Sequence, residues 1–267
     1  MLGQALAEAF SDLTPTLWDK EDLDITDEKA VSSKLEEEKP EVIINAAAYT
    51  DVDGAEDNED LAKQLNAEAV KYLANTANKI DASLVQYSTA YVFDGEKKEG
   101  YQEDDLPYPQ SVYGMTKLAG EREAQEAKKH YILRLHGLFG KAGNGKKSFV
   151  EKILQSSVGK TGMTVVDEEE GSPTYAPDLA KQTRYILEHK LTYGIYHAAN
   201  SGTATWYAIA KEIFKIEGID IELVPVDSKG LPRKAKRPKY AILRNTKLPA
   251  MRSWQEALEE FLKVSSV

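Results

Sequence analysis

The sequence predicts an α/β protein: a doubly wound parallel sheet followed by a smaller carboxyl-terminal lobe. Three observations carry that expectation. Helix-like and strand-like stretches alternate from residue 1 to about 140, a pattern that calls for parallel strands joined by helical crossovers on both faces. Three strand-like runs end in small or polar residues, "NAAAYTDVD" (45–53), "YSTAYVFDG" (87–95) and "LRLHGLFG" (133–140), and in such sheets ligands bind beyond the carboxyl ends of the strands. After residue 140 the alternation weakens, which suits a second, smaller unit.

Taken in order, "GQALAEAF" reads as a helix, "PTLWD" as a short extended strand and "DEKAVSSKLEEEK" as an amphipathic helix. "PEVIINAAAYT" is an apolar strand ending in small residues, which let a ligand approach the backbone or a helix pack tightly. Then come the long helix "NEDLAKQLNAEAVKYLANTANK", the buried strand "ASLVQYSTAYVF", the helix "YGMTKLAGEREAQEAKK" and the strand "YILRL". Beyond them "GKAGNGKKSF" is a glycine-rich, basic loop, "MTVVDEEEGSPTYAPDLA" a strand, turn and helix, and "GIYHAANSGTATWYAIAKEIFK" a strand, loop and helix, with "WQEALEEFLKV" as the closing helix. The expected organisation is a first domain over 1–140 to which 176–198 returns, and a lobe over 141–175 and 199–267.

Composition narrows the function classes. A chain of 267 residues can bury a substantial core. With no cysteine it has no disulfide, thiolate metal site or cysteine nucleophile, and no metal centre is expected. No apolar run reaches the length of a membrane span and no charged-then-apolar leader opens the chain, so the expected location is the cytoplasm. A net charge of −10 argues against nucleic acid as a partner. One stretch, "KGLPRKAKRPK" (229–239), reverses the local sign with six basic residues.

The chemistry is concentrated in "SVYGMTKLAGE" (111–121). On a helix Tyr113 and Lys117 lie one turn apart on the same face. A nearby cation favours a phenolate, which moves a tyrosine toward proton transfer at neutral pH. Upstream, Ser88 and Thr89 close a buried strand and place a hydroxyl opposite Tyr113. Hydroxyl, phenol and ammonium on adjacent elements of a doubly wound sheet make a carbonyl-reducing site, with hydride supplied by a nicotinamide.

At these residues the sequence resembles the extended short-chain dehydrogenase/reductases, and within them the dTDP-4-dehydrorhamnose reductases. The resemblance runs through "DLDITD", "PEVIINAAAYTDVDGAE", "NAEAV", "YSTAYVFDG", "YGMTKLAGE", "GSPTYAPDLA", "GIYHAANSGTATWY" and "KRPKYAILRNTKL", in that order. It implies a Rossmann-like fold and reduction of the 4-keto group of a dTDP-linked 6-deoxyhexulose to dTDP-L-rhamnose, a precursor of surface polysaccharide. By the same resemblance Thr89, Tyr113 and Lys117 form the catalytic triad, with Lys117 also holding the nicotinamide ribose. It further implies Asp24 and Ile25 near the adenine, Ala46, Ala47 and Tyr49 along the cofactor, and Thr50, Val52 and Tyr91 toward the sugar. Arg233, Lys236 and Arg237 become candidates for the diphosphate, with a solvated basic loop as the equal alternative.

The chain departs from the family pattern in three places. These reductases open with an apolar strand and a glycine-rich turn of the form GxxGxxG, whereas this chain begins "MLGQALAEAF". Gly3 then corresponds to the last glycine, with about ten residues, a strand plus its turn, expected ahead of it. Ala90 stands where the family has an aspartate, and Gly137, beside His136, stands where a tryptophan is common. Both changes bear on which sugar is accepted; His136 itself reads first as a satisfied buried histidine. Asp19 sits where an acid binds the ribose of NADH, and Lys20 beside it suits the phosphate of NADPH, so the expected cofactor is NADPH or NADH. The alternatives are a non-catalytic regulatory protein on the same fold, like the beta subunit of methionine adenosyltransferase, and an epimerase or dehydratase of the superfamily. The expected assembly is a monomer or homodimer.

Overall fold

The computed structural model describes residues 1–141, 147–229 and 233–265. Four parallel strands, Val42–Asn45, Ser83–Thr89, His130–Leu135 and Gly194–His197, lie side by side in chain order. Ile44 stands opposite Val85, Val85 opposite Tyr131, and Leu133 opposite Tyr196. Side chains alternate across a strand, so Val85, Tyr87, Tyr131 and Leu133 meet helices Leu2–Ala9 and Ala176–Glu188 on one face. Leu84 and Ile132 meet helices Glu28–Glu38, Ala69–Ile80 and Val112–Gln125 on the other. With both faces covered, the carboxyl ends of the strands are left as the place for a site.

The segment 15–19, expected as a strand, is not one. A strand persists only where its backbone groups find partners, and among the described residues nothing pairs with 15–19, nor with the free side of Val42–Asn45. Trp18 nevertheless packs against the helices of that face, with Lys34 Nζ 5.6 Å from its ring. A second difference lies in the glycine-rich stretch. Residues 142–146 are outside the described residues, and Ser148 opens helix Phe149–Ser157 through a capping box with Glu151. The S-x-x-E pattern satisfies two backbone donors that the helix start leaves open.

The long helix expected over 58–79 is broken by a π-helical turn, Gln64–Glu68, between Glu59–Lys63 and Ala69–Ile80. Such turns are rare and frequently mark functional sites. This one turns Asn66 inward, where its Oδ1 accepts the Tyr49 N–H at 2.9 Å and its Nδ2 donates to Tyr49 O and to Thr116 Oγ1, each at 3.1 Å. Helix Val112–Gln125 presses so closely on the π turn that a Cβ at Gly120 would lie 1.9 Å from Asn66 O. Gly120→Ala is therefore expected to destabilise the protein by about 1–3 kcal/mol through forced displacement, and unchanged denaturant midpoints would contradict that contact.

The remaining chain forms a second core. Strands Gly162–Val166 and Glu222–Val226 pair in parallel, and Val165, Ile213, Phe214, Leu258 and Phe261 gather against them. The pairing of Glu222–Val226 was not foreseen from the sequence. Short strand Glu170–Gly171 lies between Tyr240–Ala241 and Ala204–Thr205. Tyr240 donates to Gly95 O at 3.0 Å and Tyr101 to Ile242 O at 2.9 Å, which ties this part to the loops at the strand ends.

Candidate active site

The site is assembled where strand Ser83–Thr89 runs out. Thr89 caps a 3-10 turn, Ala90–Val92, its Oγ1 accepting the Tyr91 N–H at 3.2 Å. The next helix starts at Ser111, whose Oγ accepts the Gly114 N–H at 3.2 Å. Gly114 is required there, because a Cβ would come within 2.3 Å of Tyr91 O. That close approach carries Tyr113 to the end of the strand, with the Thr89 hydroxyl beside its phenol.

Burial raises the Tyr113 phenol above its ordinary value, and the neighbouring Thr89 hydroxyl partly opposes the rise. The sequence argument expected a neighbouring ammonium to lower it; here desolvation prevails. Tyr113 is thus held protonated, the state in which a phenol donates. Lys117, one turn further on, is buried and donates Nζ–H to Tyr87 O at 2.7 Å. Burial lowers the ammonium to about 8, with the Glu121 carboxylate pulling the other way. Glu121 is in turn held by Arg134 Nε and Nη2 at 2.8 and 2.7 Å, a pair with side chains 2% exposed.

A pH dependence follows with its sign. Lys117 is charged below about 8 and neutral above it, so a rate that needs the ammonium falls as pH rises through about 8. Stability moves the other way: the unfolded chain keeps this proton to the ordinary lysine value, so from Lys117 alone the fold gains stability as pH rises from about 8 toward that value. A rate profile with no alkaline limb near 8, in protein that stays folded, would remove Lys117 from the chemistry.

The loop that follows Val42–Asn45 is pinned at both ends. Asn45 Nδ2 donates to Gln86 Oε1 at 2.8 Å, its Oδ1 accepts the Ala47 N–H at 3.1 Å, and Asn66 holds Tyr49. Ala46 and Ala47 are exposed between these anchors, leaving a stretch of backbone with small side chains open to approach. Thr50 is exposed and Val52 begins helix Val52–Asp57, capped by Asp51. Asp24 accepts from Thr26 N and Oγ1, and Ile25 packs on the adjacent helices. Asp19 is exposed and accepts the Lys20 N–H at 2.8 Å, while Gly3 is exposed in helix Leu2–Ala9. None of these last four contacts Thr89, Tyr113 or Lys117.

The basic stretch does reach the site, but not as free cations. Arg237 Nη1 and Nη2 bond the two Asp53 oxygens at 3.0 and 2.7 Å, holding that carboxyl down to about 2. Arg233 pairs with Glu169, and Lys236 donates to Gln110 Oε1 at 2.9 Å. Both arginines lie close enough to lower the Tyr91 phenol, against the larger upward push of burial. Residues 230–232 of this stretch lie outside the described residues. Asn66, Asp53, Glu169 and Trp206 escaped the sequence reading as site residues, although "NAEAV", "NAAAYTDVD", "MTVVDEEEGSPTYAPDLA" and "GIYHAANSGTATWY" cover their neighbourhoods.

Among the described residues no acidic or histidine cluster suits a metal, and no helix is long and apolar enough to cross a membrane. The family model described as the RmlD substrate binding domain matches residues 1–267. A dTDP-4-dehydrorhamnose reductase of Streptomyces griseus is 39% identical over 250 residues, covering 89% of this chain and 81% of that protein. This chain belongs to the dTDP-4-dehydrorhamnose reductase family. It is also 38% identical, over 89% of its length and 82% of the relative's, to a probable dTDP-4,6-dihydroxy-2-methyloxan-3-one 4-ketoreductase of Streptomyces antibioticus. Among solved structures, the reductase of Bacillus anthracis in complex with NADP matches with a TM-score of 0.93 at 36% identity, over 98% of this chain and 95% of that one. The Clostridium acetobutylicum reductase matches with a TM-score of 0.95 at 38% identity, over 100% and 96%.

Proposed function

We propose that this chain is an NADPH- or NADH-dependent reductase of the 4-keto group of a dTDP-linked 6-deoxyhexulose, converting dTDP-4-dehydrorhamnose to dTDP-L-rhamnose. The observation that carries the reading is the meeting of Thr89 and Tyr113 at a strand end, above a buried Lys117, in a member of this reductase family. A bound nicotinamide supplies the hydride. The chain's own residues manage the oxygen and its proton. Thr89 and Tyr113 hydrogen-bond the substrate carbonyl, and Tyr113 delivers its proton to that oxygen as charge develops there. Lys117 stabilises the phenolate left behind.

In this reading Gly3, Asp19, Asp24, Ile25, Ala46, Ala47, Tyr49 and Lys117 hold the cofactor. Thr50, Val52, Thr89, Tyr91, Tyr113, Arg233 and Arg237 hold the sugar nucleotide. Residues 1–140 with 176–198 form the cofactor domain, and 141–175 with 199–267 the substrate lobe. The carboxylates on Arg233 and Arg237 are supportive: they keep two guanidinium forks aligned until a diphosphate takes over their donors.

The test is incubation of the purified chain with NADPH, and separately NADH, and dTDP-4-dehydrorhamnose, with product resolved by chromatography. Formation of dTDP-L-rhamnose with matching loss of reduced nicotinamide is expected. Saturable cofactor binding without turnover of any dTDP-linked 4-keto-6-deoxyhexulose would shift the reading to a regulatory protein on this fold.

A further inference from the structure

Beside Tyr113 runs a row of rings drawn from separate segments. Tyr91 stands edge-on to Tyr113 at 5.8 Å, and His136 stacks on Tyr91 at 5.9 Å. Trp206 follows at 5.8 Å from His136, and Phe149 ends the row 4.5 Å from Trp206. The row is braced from behind. Trp206 donates Nε1–H to Glu169 Oε2 at 3.2 Å, and Glu169 is paired with Arg233. Gly137 is left-handed, with φ +55°, and a Cβ on it would lie 3.8 Å from Trp206 Cη2. A bulky side chain at 137 would be strained and would compete with Trp206, which reaches this space from another segment.

His136 sits in the middle of this row under tight constraint. A Cβ on Gly171 would lie 2.2 Å from its Cε1 and 2.3 Å from its Nδ1, so the ring is seated against bare backbone. Nδ1 is buried there and has no hydrogen-bond partner, while the residue as a whole is only partly buried. A neutral imidazole carries one N–H and one acceptor nitrogen. A buried N–H without an acceptor is the rarer defect, which puts the hydrogen on Nε2. Desolvation keeps the ring neutral at ordinary pH. The chemistry assigned to Tyr113, Thr89 and Lys117 makes no use of this donor.

We infer that His136 is a specificity-determining residue, whose Nε2–H hydrogen-bonds a ring oxygen substituent of the pyranose while Tyr91 and Trp206 flank it and pack on the sugar's apolar face. The inference rests on the reductase reading of the same site. A 6-deoxyhexulose suits such a wall because its methyl group and axial C–H bonds are apolar, while a directional donor among the rings distinguishes hydroxyl positions that packing alone does not.

The test compares wild type, His136→Phe and His136→Gln with NADPH and dTDP-4-dehydrorhamnose. Phenylalanine keeps the ring in the row and removes the donor; glutamine restores one. For His136→Phe the expected result is a KM for the sugar nucleotide raised about 10-fold, the equivalent of one lost hydrogen bond. Its kcat should stay within about twofold and its NADPH affinity should not change, while His136→Gln recovers most of the KM. An unchanged KM in an active, folded His136→Phe protein overturns the inference and leaves the reductase reading standing. So does a parallel loss of kcat and NADPH affinity, which marks a packing role only. A wild-type chain that turns over no dTDP-linked keto sugar overturns the reductase reading, and the inference with it.

Discussion

Tyr113→Phe should lower kcat by about 10²–10⁴-fold, the range spanned by a positioned general acid, or roughly 3–5 kcal/mol of barrier. The substitution removes one oxygen and little else. The ring that stands edge-on to Tyr91 at 5.8 Å is retained, helix Val112–Gln125 keeps its Ser111 cap, and Lys117 keeps its bond to Tyr87 O. Cofactor affinity is therefore expected to stay within about twofold, as is the melting temperature. The informative measurement pairs a single-turnover rate with an NADPH titration of the same preparation. If more than about a tenth of the rate survives, another group gives the proton. Collapse of rate and cofactor affinity together would point to a disturbed site rather than a missing proton.

Glu121→Ala should be the most damaging single change outside the chemistry. Glu121 and Arg134 are each 2% exposed and share two hydrogen bonds, and the guanidinium also lies 5.0 Å from the Phe93 ring centroid. Removing one partner leaves an uncompensated buried charge, which costs about 3–5 kcal/mol. That is a large share of the 5–15 kcal/mol that ordinarily holds a domain together, and corresponds to roughly 10 °C in melting temperature. The pair itself need not be stabilising: replacing both residues by methionine should restore much of the loss, because the desolvation penalty of both ions disappears together. Chemical denaturation of both single variants and the double variant decides the matter. Single variants that melt with the wild type would mean that water reaches Arg134. Glu121→Gln adds a readout at the site: with the carboxylate's upward pull on Lys117 removed, the alkaline limb of the rate should move to lower pH.

The four parallel strands and most of the longer helices were legible in the sequence because their signals are local, whereas helices Val52–Asp57 and Phe149–Ser157 were not read. Apolar spacing and a closing run of small residues both act within a turn or two of the backbone. Tyr113 and Lys117 were legible for the same reason, since four positions on a helix fix a shared face whatever else the chain does. The segment 15–19 misled because extended propensity is only half of a strand, the other half being a neighbour with open hydrogen bonds. Asn66 escaped notice because its value comes from a π turn facing a helix 50 residues away, and nothing in "NAEAV" specifies that meeting.

By itself, then, the sequence determined the fold class, the order of the four parallel strands and the shared helix face of Tyr113 and Lys117, all consequences of periodicity and spacing. Tertiary structure alone decided the rest. It raised Tyr113 by burial where spacing to a cation had suggested the reverse, gave Arg233 and Arg237 to Glu169 and Asp53, and brought Trp206 over Gly137 beside His136. Desolvation and the choice of partner depend on which distant segments the packed core brings within a few ångströms, and a linear pattern carries no record of that.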